Sequence, residues 1–290
     1  MIGEHKMIFE MPAALRKALE QSEKGDAFVK AMTLRGKPFR DVPGRKTSQV
    51  ELLGKSYFIK QHFGVGWGEI VKNIILLKKP ILSAMTEVDA IQKVTSLGIA
   101  TTPVVAYGQR GCSPANTKSF LLTEDLGDIT SLEELCAVWK ENPPDARYKR
   151  HLVIAVAKLA RNIHEHGVNH RDFYLCHLCL HNEAPKLQLY LIDLHRALIH
   201  KKPSKKANMK DIAALYFSAM GTVLTAKDYL RFRRYYHPQD KQFWQQVEHR
   251  AQALNTKFNS KNTNIFFEMV LEYIFVFHLY DLKNSNNVSK

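Results

Sequence analysis

Cysteine is scarce, with 4 in 290 residues. That is too few for the disulfide framework of a small secreted scaffold, and it suits a reducing compartment. Long apolar runs are also missing. The longest, Ile265–Leu282, is interrupted by Glu268, Glu272, His278 and Asp281. A membrane-spanning helix does not tolerate so many ionisable groups, so the segment reads as a core helix or a partner surface. Met1–Glu10 holds acidic residues and no continuous apolar stretch, unlike a secretory leader. A soluble or peripheral protein is expected. Hydrophobic residues make up 45% and charged residues 24%, which excludes a mostly disordered or collagen-like chain. The length suits one large or two moderate domains.

Acidic residues run short. Lys plus Arg is 42 against 28 Asp plus Glu, a formal charge of +14. The excess is uneven: Lys201–Arg234 holds nine basic and two acidic residues, a net +7. Such a surface attracts polyanions, among them nucleic acid, anionic lipid, a phosphorylated sugar or an acidic protein. No nucleic-acid-binding motif accompanies the charge, so nucleic acid is not expected as a partner.

Pro12–Lys30 has the spacing of an amphipathic helix. Ser48–Leu53 and Ser56–Gln61 flank Gly54-Lys55 as a hairpin. Trp67–Lys78 and Thr86–Leu97 look helical, the second stopped by Gly98. Thr102–Tyr107 and Lys118–Thr123 look like strands, followed by the acidic linker Glu124–Asp128. Ser131 and Glu134 form a capping-box pattern. Ala146–His166 is a long helix closed by Gly167, His170–His177 is irregular, and Lys186–Ile192 is a short strand ending on Asp193. From Asn208 onward the pattern is helical. The chain thus reads as strand-rich and then helix-rich, with a hinge near residues 124–130.

Five polar residues stand in a telling order. Lys60 ends an apolar strand, Tyr57-Phe58-Ile59-Lys60; Glu87 lies in a helix; Asp172 follows His170-Arg171; His177 comes next; Asp193 closes a strand. Phosphoryl transfer from ATP needs a cation on the phosphates and a carboxylate to hold that cation. It also needs a carboxylate facing the acceptor hydroxyl and another for Mg²⁺. Lysine, glutamate, His-Arg-Asp and metal aspartate follow one another in this order in protein kinases. The expected fold is therefore α+β and bilobal, protein-kinase-like, with a small strand-rich N-lobe and a larger helical C-lobe. Residues 1–35 read as an N-terminal helical extension, 36–126 as the N-lobe and 127–290 as the C-lobe. Asp172 is the expected catalytic base. Lys60, Glu87 and His177 are assigned to the nucleotide, and Asp193 with His177 to the metal.

The departures are as informative. A kinase covers the phosphates with a G-x-G-x-x-G loop before the lysine, yet Arg40–Gln49 holds only Gly44. Gly64, Gly66 and Gly68 fall after Lys60, either as a backbone loop near the ligands or as a tight turn. His177 stands where a metal-binding Asn is usual. It either ligates the metal or orients Asp172 or a phosphate. Cys176-x-x-Cys179 lacks a second pair and reads as structural rather than zinc-binding. Asp211 either braces the catalytic loop or is an ordinary acid near a helix start.

Longer strings carry a more specific signal. Gly64–Ile70, Gly167–His177, Leu191–Ala197 and Lys210–Ala219 resemble the lipopolysaccharide core heptose(I) kinase family over roughly residues 36–237. The resemblance implies transfer of the ATP γ-phosphate to the first heptose of the lipopolysaccharide inner core, with ATP and Mg²⁺ as cofactors. The alternative is a related kinase acting on Kdo, a small molecule or protein tyrosine. It implies a cytoplasmic location, peripheral on the inner face of the inner membrane of a Gram-negative bacterium. In that family His177 is the usual residue of the loop. The implied partners are the inner-core acceptor, the membrane surface and an acidic protein.

Overall fold

The structure is a computed structural model that describes residues 7–21, 25–64, 83–111, 113, 115–182, 187–236 and 240–260. The expected helix at 67–78, Gly66, Gly68 and the 265–282 segment lie outside the described residues.

A six-stranded antiparallel sheet of order β1-β5-β6-β4-β3-β2 forms the N-lobe. Its strands are β1 (Ile8–Glu10), β2 (Lys37–Val42), β3 (Arg45–Leu52), β4 (Lys55–His62), β5 (Val104–Arg110) and β6 (Lys118–Glu124). The β3–β4 hairpin turns at Leu53 and Gly54, one residue earlier than the expected Gly54-Lys55; both are at positive φ, the conformation a two-residue hairpin turn requires. Alternation along β4 sends Tyr57, Ile59 and Gln61 to one face and Phe58, Lys60 and His62 to the other. The first face is closed by α1 (Ala13–Gln21) and α2 (Ala27–Thr33), whose Leu15, Phe28 and Ala31 pack on Ile59, Phe120 and Leu122. The single helix expected over Pro12–Lys30 is thus two. Asp26 caps the second by accepting from Val29 N at 2.9 Å. The N-terminal segment is also more than helical, because Ile8–Glu10 pairs with β5 as an edge strand.

Helix α3 (Met85–Ser96) crosses beneath the sheet and carries Glu87 in its first turn. Asp125 anchors the hinge, accepting from Gln49 and Ser56, each at 2.7 Å, and from Gly127 N at 2.9 Å.

Beyond the hinge lie β7 (Ile129–Ser131), α4 (Leu132–Val138), α5 (Ala146–Glu165), β8 (Val168–Asn169), β9 (Leu178–His181), β10 (Leu189–Leu191), β11 (Leu198–Ile199), α6 (Lys205–Ala219), α7 (Ala226–Tyr236) and a helix, α8, over 241–260. The Ser131–Glu134 capping box forms as the sequence predicts. Leu152, Ile163, Ile212, Phe232 and Trp244 are among the residues of the C-lobe core. The loop from His170 to His177 lies over this core and is tied to it by Asp211 of α6. That carboxylate is 2% exposed and accepts from His170 N at 2.8 Å, Arg171 N at 2.9 Å, and Asn169 Nδ2 and His164 Nε2 at 3.2 Å each. The loop needs this tether because Arg171 sits at φ 70, which a residue with a Cβ adopts only under constraint. Of the two readings open for Asp211, the brace is the one observed.

Burial alone would raise the Asp211 pKa. The hydrogen bond and charge of His164, then Asn169, outweigh it and hold the carboxyl below its ordinary value. A carboxyl lowered on folding stabilises the native state above its unfolded pKa of about 4, and the contribution is lost as pH falls below that. Asp211→Ala, which strands two buried backbone N–H groups, is expected to cost about 3 kcal/mol at pH 7. Its urea-unfolding free energy should fall less steeply than wild type between pH 5 and 3. A variant with wild-type stability and slope would contradict the brace.

Candidate active site

Four elements bring the five expected residues into one chain of contacts. Lys60, from β4, donates to Glu87 Oε1 of α3 at 2.6 Å and to Asp193 Oδ1 at 3.2 Å. Glu87 is 3% exposed, so its charge is tolerable only with the ammonium beside it. Burial would lower the Lys60 pKa, but the two carboxylates outweigh it and raise it, keeping the ammonium charged. Asp193 follows β10 at φ 60, a left-handed conformation that turns its side chain back toward Lys60. His195 Nδ1 lies 2.8 Å from Asp193 Oδ1. Against the raising effect of burial, His195 and Lys60 drive the Asp193 carboxyl far below the usual carboxylate range.

His177 joins the two halves of the site. Its Nδ1 is 2.7 Å from the Asp172 carbonyl, and its Nε2 is 3.7 Å from Asp193 Oδ2. Burial pulls its pKa down; hydrogen bonds with Cys176 and the Asp172 carbonyl, then the Asp193 charge, push it up to about 9. The ring stacks on His170 at 5.4 Å between centroids. His170 is fully buried, and desolvation lowers its pKa, so it is a neutral ring whose Nε2 meets the Ile192 carbonyl at 2.9 Å. The 170–177 loop and the segment carrying Asp193 are thereby pinned together.

The Asp172 side chain is 14% exposed. Its Oδ1 accepts from Arg196 Nη1 at 2.6 Å, a charge-assisted bond that orients the carboxylate. Sequence reasoning assigned no role to Arg196 or His195, although both lie in the Leu191–Ala197 string. Arg40, Arg45 and His62 were missed as well. They line a cleft of about 210 Å³ with Lys46, Thr47, Lys60, Glu87, Asp193 and His195. Burial, then Arg45 and Lys60, bring His62 down to about 4, so it adds no charge to the cleft at neutral pH.

Among the described residues no cluster of three or more His, Cys, Asp or Glu side chains is arranged for a metal. Mg²⁺ shared with a nucleotide needs only one or two protein carboxylates, with phosphates and water completing its shell. Asp193 fits that donor set: its two short contacts fall on Oδ1, and Oδ2 has only the longer 3.7 Å approach of His177 Nε2. Cys136, Cys176 and Cys179 are free thiols. Burial raises Cys136 and Cys179 to about 11, as suits structural rather than metal-binding cysteines. Gly64, at φ +87, packs where a Cβ would lie 2.5 Å from the Ala115 carbonyl oxygen, so the start of that glycine string is a close backbone approach.

Known proteins share this arrangement of sequence and fold. The model of the lipopolysaccharide kinase (Kdo/WaaP) family matches residues 29–236. Lipopolysaccharide core heptose(I) kinase WaaP of Pseudomonas aeruginosa is 46% identical over 215 residues, 73% of this chain and 80% of that protein. WaaP of Escherichia coli K12 is 42% identical over 215 residues, covering 73% and 81%. A solved structure of WaaP in complex with acyl carrier protein superposes with a TM-score of 0.72 at 35% identity, covering 85% of this chain and 99% of that one. The sequence order, the kinase-like fold and these matches agree, and the chain belongs to the lipopolysaccharide kinase (Kdo/WaaP) family.

Proposed function

We propose that this protein transfers the γ-phosphoryl group of ATP to a hydroxyl of the first heptose of the lipopolysaccharide inner core. The observation that carries the reading is the contact chain Glu87–Lys60–Asp193–His177–Asp172 beside a cationic cleft. Heptose is favoured over Kdo by relatives of 42–46% identity that are heptose(I) kinases.

Lys60, oriented by Glu87, binds the donor phosphates. Asp193 is the residue that would hold a Mg²⁺ ion, and that ion would supply neutralisation of the phosphate charge. His177 ties Asp193 to the Asp172 backbone, with Nδ1 2.7 Å from the Asp172 carbonyl and Nε2 3.7 Å from Asp193 Oδ2, a positioning role rather than metal ligation, since Mg²⁺ prefers oxygen donors. Asp172, steered by Arg196, accepts the proton of the attacking hydroxyl. Little covalent work remains for the protein beyond position and charge.

The basic window serves the acceptor's surroundings. Lys201, Lys202, Lys206, Lys210, Lys227 and Arg234 are exposed, whereas Lys205 pairs with Asp240 and Arg233 with Glu248. A cationic face of this kind suits the anionic leaflet on which core lipopolysaccharide is assembled, each near-surface cation adding about 1 kcal/mol. Among the described residues no helix is long and apolar enough to cross a membrane, so peripheral contact is the mode proposed. The same face suits an acidic protein, and the solved relative is a complex with acyl carrier protein.

Asp172→Ala is expected to lower core-dependent ATP turnover by about 10²-fold or more while leaving ATP affinity within a few-fold of wild type. Near-full turnover would refute the assignment of the base. Lys60→Ala should weaken ATP binding and, by stranding the Glu87 charge, destabilise the fold by about 3–5 kcal/mol, read by denaturant titration. Reversing Lys201, Lys202, Lys206 and Lys210 to Glu should abolish binding to anionic vesicles and slow turnover on membrane-borne acceptor. Unchanged vesicle binding would exclude the docking role.

A further inference from the structure

A kinase-type site needs donors above the phosphates, and the hairpin that covers this cleft is poor in glycine. Between β2 and β3 the only glycine is Gly44, at φ 78. Its carbonyl accepts from Phe63 N at 2.9 Å, which ties the hairpin tip to the end of β4. The glycine-rich loop that would present free backbone amides is therefore missing from the position where a kinase needs it.

Strand register supplies a substitute. Cross-strand partners in an antiparallel pair project to the same face. Thr47 pairs with Lys60, and Arg45 with His62, so Arg45 shares the cleft face with Lys60. In β2, Lys37 pairs with Gln49 and Pro38 with Ser48, but Arg40 rather than Phe39 pairs with Thr47. One extra residue, a bulge, is inserted there. Without it, simple alternation would place Arg40 on the face away from Lys60, since a one-residue slip reverses every side chain. The bulged Phe39 packs edge-on against Phe58 at 4.9 Å on the cleft face, which holds the irregularity in place.

We propose that Arg40 and Arg45, aimed into the cleft by the Phe39 bulge and the β3–β4 register, grip the donor polyphosphate in place of glycine-loop amides. This rests on the kinase reading above and names further residues of its donor site. Charge in the cleft supports it. Lys60 is engaged by Glu87 and Asp193, and Lys46 lies 3.7 Å from Asp41. Arg40 and Arg45 have no ion-pair partner among the described residues, although both border the cleft. Burial, then the Arg40 charge, pull the Arg45 guanidinium below its ordinary value, with Asp193 and Glu87 pulling back. Like charges gathered in a half-buried cleft repel one another until a polyanion fills it, and a guanidinium binds phosphate oxygens in pairs. A clamp built from side chains also differs from a glycine loop in its selectivity. It responds to the number of phosphates and to salt, and is indifferent to the nucleoside.

Calorimetric titration without any acceptor tests this. ATP, ADP and adenosine are titrated into wild type, Arg40→Gln, Arg45→Gln, the double variant and Arg45→Lys. ATP affinity is expected to fall about tenfold for each single Gln variant, ADP affinity by less, and adenosine affinity by no more than twofold. Arg45→Lys should retain part of the ATP affinity, and the double variant should show a flatter dependence of ATP binding on salt. Adenosine binding doubles as the control for folding. An equal loss for adenosine and ATP, or ATP affinity unchanged in the double variant, overturns the clamp while leaving the kinase reading intact. Wild type that binds no adenine nucleotide overturns both.

Discussion

The ammonium of Lys60, held between Glu87 and Asp193, is the interaction on which this structure turns. It joins a strand and a helix of the N-lobe to the aspartate that follows a strand of the C-lobe. Neither Glu87, buried to 3% exposure, nor Asp193 in its left-handed turn would hold its place without a cation between them. In return, the two carboxylates keep the lysine charged against the desolvation that would strip its proton. One partly buried triad therefore fixes the relation of the lobes and the places of Lys60 and Asp193 together.

The loop from His170 to His177 depends on a second buried charge. Asp211 gathers the backbone N–H groups of His170 and Arg171, and through them sets where Asp172 begins. Two residues of the site adopt positive φ without being glycine: Arg171, which directly precedes Asp172, and Asp193 itself. Their strain is offset by hydrogen bonds from the loop to helix α6 and to Ile192, the residue that precedes Asp193. Preorganisation of this kind is what phosphoryl transfer asks of a protein, since the transition state is stabilised mainly by fixed charges.

Much of this was legible in the sequence, and the reasons are physical. Lys60, Glu87 and Asp193 are tied to elements whose patterns are strong, an apolar strand, a helix closed by Gly98 and a short apolar strand, and Asp172 stands in the literal His-Arg-Asp tripeptide. The capping box at Ser131 and the hairpin at Gly54 are local chemistry, readable residue by residue. The break between α1 and α2 was hidden because the apolar spacing on either side of Gly25-Asp26 resembles one continuous helix. The edge strand Ile8–Glu10 is three residues long, too short for alternation to register. Arg40, Arg45 and Arg196 were not found because their places at the site come from tertiary register. A single-residue bulge changes which face an arginine occupies and leaves no trace in composition. Arg196 meets Asp172 across 24 residues, a pairing that no short-range periodicity encodes.

Tandem mass spectrometry of unphosphorylated core lipopolysaccharide, incubated with the protein and ATP·Mg²⁺, tests the central claim most directly. The account predicts one added phosphate, with fragment ions placing it on the first heptose. A phosphate found on Kdo instead, or no mass gain from a protein that binds ATP, would contradict it.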